Sequence, residues 1–260
     1  MNPLPPDQAR VQQSFRRGLA SYHDHAQVQA GIARTLAAAL GAAGAPASFS
    51  HVLEFGCGTG HLTDELLQHF QINDLTLNDL VPDCAAHLQP LLAGRVTQSR
   101  FLPGPIEALP LPAGLDLIAA ASTVQWLADL PTLIHRLSDH LAPGGWLALS
   151  GFARSHFAEL QQIGADAGAP GYLDPADWPD LLPAAMKIVH LHHETMQLTF
   201  PDAVSLLRHL RLTGVNGRAR QHWTRARLAE FAQVLAPGRP KDSPLTLTYQ
   251  PVYLIARKVG

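Results

Sequence analysis

The stretch His51-Val52-Leu53-Glu54-Phe55-Gly56-Cys57-Gly58-Thr59-Gly60-His61-Leu62 predicts a strand, an abrupt glycine turn and the start of a helix. Its apolar residues before the turn suit a strand that is buried on both faces. Three glycines at alternate positions allow backbone conformations that a Cβ would forbid. Apolar residues then recur at helical spacing as far as Phe70. The turn is therefore expected at the carboxyl end of a strand, which is where ligands bind in open α/β sheets.

The spacing G-x-G-x-G differs from the dinucleotide-binding and phosphate-loop patterns, and no Lys follows it. Glu54 precedes the glycines and would repel a phosphate, so the loop favours a ligand that carries an ammonium or another cation. S-adenosylmethionine is such a ligand. A tight turn that binds no ligand is the alternative interpretation.

A second acidic residue follows nineteen residues after the last glycine. Leu75 to Leu80 has the pattern of the next strand, and Asp79 stands at its end. In a nucleotide-binding βαβ unit, an acid at this place meets the ribose diol.

The rest of the chain as far as Ser150 alternates strand and helix patterns, which predicts an α/β fold with a doubly wound, mostly parallel sheet. Further strands are predicted at Phe101–Leu102, Leu115–Ala121, Trp146–Ser150, Ile188–Leu198 and Leu245–Ala256. Further helices are predicted at Pro82–Leu92, Leu130–Leu141, Phe157–Ala167, Ala203–Leu212 and Arg225–Leu235.

Residues 1–42 precede the first strand and form a helical arm with apolar residues at 3–4 spacing, from Val11 to Tyr22 and from Ile32 to Leu40. The pattern fits two helices, or one helix broken near Gly31. Such an arm either packs on the domain or crosses the mouth of a ligand site as a lid. Composition does not separate these two interpretations.

The 260 residues, 47% of them apolar, suit one large α/β domain with an elaboration. The two cysteines, Cys57 and Cys84, fit neither a disulfide framework nor a metal motif, which favours a reducing, cytoplasmic setting. No apolar run reaches the ~18 residues that a membrane span needs, and the N-terminus lacks the core of a signal peptide. The fourteen histidines show no ligand spacing, so no metal site is expected.

Basic residues are concentrated in residues 205–241, which contain eight Arg or Lys and one acid. This segment has a charge of +7, whereas the remainder of the chain has −9. A basic island in a mildly acidic protein suits an acidic protein partner. Nucleic acid is less favoured, because few aromatic residues are interleaved with these charges, Trp223 being the one among the central arginines, and the pI is near neutral. A solvated helical surface without a partner is a third interpretation.

The chain resembles the class I S-adenosylmethionine-dependent methyltransferases, whose first motif matches Glu54 to Gly60. It is more narrowly similar to the malonyl-acyl-carrier-protein O-methyltransferase family of biotin biosynthesis. The narrower resemblance rests on several separated stretches: Phe15-Arg16-Arg17, Tyr22, His25-Ala26, Gln29, Ile106–Leu111, Val124-Gln125-Trp126, Leu141–Gly145, Arg208–Arg211, Gly214 and Leu245–Tyr249.

This resemblance implies that the arm is followed by a seven-stranded methyltransferase domain over residues 43–260, which includes a helical lid for the substrate or partner at about 200–240. It implies methyl transfer from S-adenosylmethionine to the free carboxylate of a malonyl thioester, with no membrane or nucleic-acid partner. The basic residues expected to dock the acyl carrier protein are Arg208, Arg211, Arg218, Arg220, Arg225 and Arg227.

The resemblance also extends the set of site residues beyond the glycine loop and Asp79. Residues expected to bind the cofactor are Arg17, Tyr22, Gln29, Glu54, Gly56, Cys57, Gly58, Gly60, Asp79, Leu80, Ile106, Glu107 and Ala121. Residues expected to position the substrate are Tyr22, Gln125, Trp126 and Arg211. No general base is expected, because a carboxylate is already ionised at neutral pH. A core role for Trp126 and a solvated role for Arg211 stay open.

Two departures from the family pattern affect the cofactor site. Pro105 stands where relatives carry the acid expected to meet the adenine amino group, so that contact would have to come from backbone groups at Ile106 or from Glu107. Ala120-Ala121 replaces a Ser-Asn pair, which leaves only backbone atoms to act there. Another small-molecule methyltransferase and a catalytically silent cofactor-binding protein are the alternative functions.

Overall fold

The computed structural model describes residues 6–162, 169–213, 224, 231, 233 and 244–260. Its strands are β1 (Ser48–Phe55), β2 (Gln71–Asp79), β3 (Val96–Pro103), β4 (Leu115–Ala120), β5 (Leu141–Phe152), β6 (Met186–His193), β7 (Met196–Phe200), β8 (Leu245–Tyr249) and β9 (Pro251–Lys258). Its helices are α1 (Pro6–His25), α2 (Gln27–Ala42), α3 (His61–His69), α4 (Cys84–Leu92), α5 (Leu130–His140), α6 (Ala158–Gln162) and α7 (Ala203–Leu212).

Seven strands form one sheet in the order β3-β2-β1-β4-β5-β9-β6, which confirms the predicted α/β fold. Strands β1 to β5 pair in parallel, and β9 runs antiparallel to both of its neighbours. The central strands are buried on both faces, as Val52, Leu53, Leu117 and Ile118 are all completely enclosed. Strand order reverses between β1 and β4, and the ends of these strands define the crevice in which such sheets bind ligands.

Two long strand predictions were wrong, because the chain changes sheet within each of them. The segment Ile188–Leu198 is divided between β6 and β7, and Leu245–Ala256 is divided between β8 and β9. Strands β7 and β8 pair with each other in a separate antiparallel sheet. Alternating apolar residues indicate which face of a strand is buried, but they do not indicate which sheet the strand belongs to. The alternation continues where the chain passes from one sheet to the other, because both sheets cover the same core.

Other helix and strand boundaries also differ from the predicted ones. The arm forms two helices that divide at Ala26 rather than near Gly31, and Ala26 is completely buried where the chain bends. Strand β3 begins at Val96 and β5 at Leu141, both earlier than predicted, whereas α4 begins at Cys84, two residues later. The prediction for Ala203–Leu212 is confirmed by α7. The predicted helix Arg225–Leu235, apart from residues 231 and 233, and the predicted helix Phe157–Ala167 beyond residue 162 lie outside the described residues.

Within the part of the chain that the structure describes, no helix combines the length and apolar character that a membrane crossing requires.

Candidate active site

The turn between β1 and α3 takes its shape from glycine. Gly56, Gly58 and Gly60 have φ values of +63°, +53° and +94°, a region that residues with a Cβ rarely adopt. A Cβ on Gly56 would lie 2.2 Å from Cγ2 of Thr123, and one on Gly60 would lie 2.4 Å from Cδ1 of Leu91. A Cβ on Gly58 would meet no atom within 4 Å. Two of the glycines thus allow close packing, whereas the third leaves open space.

Asp79 holds this turn from the end of the neighbouring strand. Its two carboxylate oxygens accept hydrogen bonds from the backbone N–H groups of Gly58 and Val81, each at 2.8 Å. Burial raises the pKa of Asp79, while these hydrogen bonds act in the opposite direction. The carboxyl group therefore joins the ends of β1 and β2 and faces the space between them.

A cavity of about 400 Å³ lies over the ends of these strands. Its walls come from α1, from the turns that follow β1, β2, β3 and β4, and from the segment before Gly171. The lining residues are Gln8, Val11, Phe15, Leu19, Tyr22, Phe55, Gly56, Gly58, Asn78, Asp79, Leu80, Val81, Cys84, Gly104, Pro105, Ile106, Glu107, Ala121, Ser122, Thr123, Trp126, Leu127, Ala128 and Pro170.

Helix α1 forms one wall of this cavity with a row of residues at 3–4 spacing that begins at Gln8 and ends at Tyr22. Its other contacts attach it to the neighbouring turns. Gln12 Nε2 donates to the carbonyl of Leu80 at 2.7 Å, and Arg16 pairs with Asp83 at 2.8 Å. The apolar face of α1 is thus turned toward the cavity and covers one side of it.

Glu54 lies beneath the glycine turn rather than on the cavity wall. It is 1% exposed, and its Oε2 accepts a hydrogen bond from the Thr63 hydroxyl at 2.8 Å. Burial, and secondarily the charge of Asp79, raise the pKa of Glu54 to about 8. Because the negative charge of Asp79 makes Glu54 harder to ionise, a cation bound near these two carboxyl groups would be stabilised.

The raised pKa of Glu54 makes the stability of the unliganded protein pH-dependent. The pKa of Glu54 is about 8 in the folded chain and ordinarily 4.5. The protonated carboxyl therefore makes its full contribution to the free energy of unfolding below pH 4.5, and this contribution is lost as the pH rises to 8. We expect the free energy of unfolding to fall by about 4 kcal/mol across this range. Urea unfolding from pH 5 to pH 9 measures it. Glu54→Gln keeps an oxygen for Thr63 and should lack this part of the slope; an identical slope in the variant would contradict the assignment.

The structure brings nine of the sequence-predicted site residues to the cavity wall: Tyr22, Gly56, Gly58, Asp79, Leu80, Ile106, Glu107, Ala121 and Trp126. Trp126 also packs edge-to-face against Phe15 with ring centroids 5.4 Å apart. Burial raises the pKa of Tyr22, so its phenol stays protonated at neutral pH.

The other predicted residues are not on the cavity wall, although three of them adjoin it. Cys57 and Gly60 belong to the glycine turn, and Glu54 lies under it. Gln125 is buried, and its Nε2 donates to the carbonyl of Ser122 at 2.7 Å while its Oε1 has no partner.

Three further predicted residues lie on helices. Arg17 is exposed on α1, and Arg211 is exposed at the end of α7. Gln29 is buried in α2 with an unpartnered Oε1.

Several lining residues were not predicted as site residues. Phe15 and Leu19 belong to an apolar row that the sequence did show, but its spacing does not tell a helix face that covers a cavity from one that covers a core. Thr123 lines the cavity beside the glycine turn, where its hydroxyl lies within hydrogen-bond distance of the carbonyls of Gly56 (3.2 Å) and Ala121 (3.0 Å). Ser122 has a φ of +53°, for which its sequence context gives no signal.

The chemistry available on this wall is that of binding and alignment. Among the described residues that line the cavity, the titratable ones are Tyr22, Asp79, Cys84 and Glu107, and no His or Lys occurs. Burial raises the pKa of Cys84 and thereby disfavours its thiolate. The site thus suits a reaction in which the nucleophile arrives already ionised.

Comparison with known proteins places this geometry among methyltransferases. A family model described as a methyltransferase domain matches residues 22–233. A malonyl-[acyl-carrier protein] O-methyltransferase from Chlorobium luteolum is 36% identical over 255 residues, which span 97% of this chain and 96% of that protein.

Two solved structures share the fold. A putative methyltransferase from Bacillus halodurans has a TM-score of 0.64 at 15% identity and covers 86% of this chain and 99% of its own. The N-methyltransferase NodS from Bradyrhizobium japonicum, in complex with S-adenosyl-L-homocysteine, has a TM-score of 0.54 at 18% identity. The match covers 96% of this chain and 98% of the NodS chain.

Proposed function

This chain belongs to the malonyl-[acyl-carrier protein] O-methyltransferase family, and we propose from that premise that it transfers a methyl group from S-adenosylmethionine to the free carboxylate of a malonyl thioester in biotin synthesis. The observation that carries the proposal is the cavity wall, which combines an acid-supported glycine turn with a described lining that contains no His or Lys. A malonyl carboxylate has a pKa of about 4 and therefore needs no base at neutral pH.

The residues present fit this cofactor. Gly58 lines the cavity with open space where a Cβ would stand, and Asp79 faces the same space. We assign the ribose hydroxyls to Asp79 and the support of the cationic end to the buried Glu54 beneath the turn. When bound, S-adenosylmethionine supplies an electrophilic methyl group on a sulfonium.

The chain's own residues would then align the acceptor and exclude water. The row on α1 covers the cavity, and Trp126 with Phe15 closes the side near the turn that follows β4. Exclusion of water and alignment of the reacting atoms are the main tasks in such a displacement. The assignment of Arg211 to the acceptor carboxylate stays a prediction: a guanidinium can bind both carboxylate oxygens, but Arg211 is exposed at the end of α7 and is not among the residues that line the cavity.

We further propose that the basic segment 205–241 docks the acyl carrier protein. Arg208 and Arg211 are exposed on α7, whereas Arg218, Arg220, Arg225 and Arg227 lie outside the described residues. A cytoplasmic location also belongs to this proposal, since Cys57 and Cys84 are both free and buried.

Reversal of Arg218, Arg220 and Arg225 to Glu tests the docking proposal. We expect the KM for malonyl-carrier protein to rise about tenfold or more, and the KM for malonyl-coenzyme A to change much less, because only the carrier presents a large acidic surface. The three reversals are also made one at a time, and each single variant is compared with Lys187→Glu, which reverses an exposed positive charge on β6. Equal effects on the two substrates would refute a docking surface here.

A panel of acceptors separates the proposed activity from its alternatives. With isotopically labelled S-adenosylmethionine, we expect label on malonyl-carrier protein as a methyl ester and none on acetyl-carrier protein, which has no free carboxylate. Turnover of an unrelated small molecule with indifference to the carrier would show another methyltransferase. Cofactor binding without turnover of any acceptor would show a silent binding protein.

A further inference from the structure

Two histidines attach the C-terminal end of α1 to the glycine turn. The ring of His23 stacks on that of His61, the first residue of α3, with centroids 4.6 Å apart and planes 14° from parallel. The Nδ1 atom of His23 also lies 3.2 Å from the hydroxyl oxygen of Thr59, which is buried in the turn. These contacts join the arm directly to the loop that forms part of the cavity wall.

Tyr22 is the last residue of the cavity-lining row on α1, and it stands next to this stack. Its ring centroid lies 5.9 Å from that of His61, and His23 follows it in the chain. The polar contacts of Gln12 and Arg16 attach the arm nearer its N-terminus. The place of the Tyr22 ring on the cavity wall therefore depends on how this end of the helix is held.

The surroundings of His61 disfavour its charged form. Its Nε2 atom is buried and has no hydrogen-bond partner among the described residues, so protonation would leave a charged N–H group there without an acceptor. Burial, and secondarily the charge of His23, lower the pKa of His61 to about 4. Asp64 on α3 acts in the opposite direction, but it is paired with Arg95 at 2.6 Å. The stack is thus an arrangement of a neutral His61.

The exposed side of the pair and the neighbouring helix add further titratable groups. His23 is exposed, and so are Asp24 and His25 beside it on α1. From α7, His209 faces the end of the arm, and its pKa is lowered by burial and then by the charge of His25. Protonation at this end of the arm therefore opposes two histidines on α1 to one histidine on each of two other helices.

We propose that His23 and His61 are positioning residues: their stacked rings hold the arm against the glycine turn and keep Tyr22 on the cavity wall, and protonation of the pair releases the arm. This inference goes beyond the proposed function, because it concerns access to the cavity and holds for any acceptor.

The sign of the pH dependence follows from the two states of the arm. The pKa of His61 is about 4 when the arm is closed, and it returns toward its ordinary 6.5 when the arm opens. The open form therefore binds the proton at a higher pH than the closed form does. Opening becomes more favourable as the pH falls below 6.5 toward 4.

Hydrogen exchange of the α1 amides, followed by mass spectrometry on the unliganded chain, tests the proposal. After correction for the intrinsic exchange rate at each pH, we expect the opening constant of residues 19–25 to rise about threefold to tenfold from pH 7.5 to pH 5.5. Peptides from β4 are the internal reference for global unfolding. The raised pKa of Glu54 makes global unfolding less favourable as the pH falls, which is the opposite direction.

Two variants separate the stacking from the proton. His61→Phe keeps a ring for His23 to stack on but cannot be protonated, so the arm should be as well protected as in the wild type at pH 7.5 and lose most of its pH dependence. His23→Ala removes the stack and should raise the opening constant about twofold to tenfold at pH 7.5. His69→Gln, which removes an exposed histidine at the other end of α3, should behave as the wild type.

The protection of β4 shows in the same experiment that each variant is folded. An opening constant of α1 that is equal at pH 7.5 and pH 5.5 in the wild type would overturn the proposal. So would a pH dependence that His61→Phe retains in full. Because no ligand is present, neither outcome depends on whether the proposed methyl transfer is correct.

Discussion

Replacement of Asp79 by alanine is expected to weaken S-adenosylmethionine binding about a hundredfold or more. The carboxylate is assigned to the ribose hydroxyls, and hydrogen bonds to a charged acceptor contribute about 1.5–3 kcal/mol each. The variant also removes the acceptor for the N–H groups of Gly58 and Val81, which shape the turn. Calorimetric titration of the purified variant with the cofactor measures the loss.

Asp74→Ala is the matched control for this variant. Asp74 lies on the same strand near the opposite end, where it pairs with His51 at 3.5 Å. Its replacement should leave the affinity for the cofactor unchanged. Thermal unfolding without ligand shows whether Asp79→Ala is still folded, and a folded variant with wild-type affinity would remove Asp79 from the ribose role.

Replacement of Gly56 by alanine is expected to reduce both stability and cofactor binding severely. The new methyl group would lie 2.2 Å and 2.3 Å from Cγ2 and Oγ1 of Thr123, so the loop or Thr123 must move. Overpacking of this kind costs about 1–3 kcal/mol, and the φ of +63° adds about 1–2 kcal/mol for a residue with a Cβ. Chemical unfolding and cofactor titration together give the size of the two losses.

Alanine variants of two other glycines separate the steric cost of the contact with Thr123 from the cost of the positive φ. Gly44 has a φ of +89°, and a Cβ added there would meet no atom within 4 Å, so Gly44→Ala reports the backbone cost alone. Gly58 is equally free of close neighbours but lines the cavity, so Gly58→Ala should lose affinity with little further loss of stability. A Gly56→Ala variant no less stable than Gly44→Ala would show that the contact with Thr123 is not restrictive.

The part of the fold nearest the glycine turn could be predicted because its constraints are local. Gly56 and Gly60 adopt conformations that few other residues allow, and Asp79 ends its strand at the place where the sheet presents ligand-binding residues. The separate β7–β8 sheet was missed for a different reason. Tyr249 and Tyr253 are both completely buried, so the apolar pattern runs on through Gln250 although the chain changes sheet there.

The candidate site was predictable where it depends on backbone shape, and less so where it depends on orientation. The row from Val11 to Tyr22 was recognisable as the apolar face of a helix, but whether it faces a core or a cavity depends on where the arm lies. Gln125 illustrates the same point, since the one-turn helix Val124–Trp126 places Trp126 on the cavity wall and Gln125 behind it. Such a difference follows from tertiary packing and not from residue type.

The most direct test of the proposed activity is the intact mass of malonyl-carrier protein after incubation with this chain and S-adenosylmethionine. We expect the carrier to gain the mass of one methyl ester, located on the malonyl group by fragmentation, and acetyl-carrier protein to stay unchanged. An unmodified malonyl-carrier protein, in the presence of a chain that binds S-adenosylmethionine in calorimetry, would contradict methyl transfer to the malonyl carboxylate.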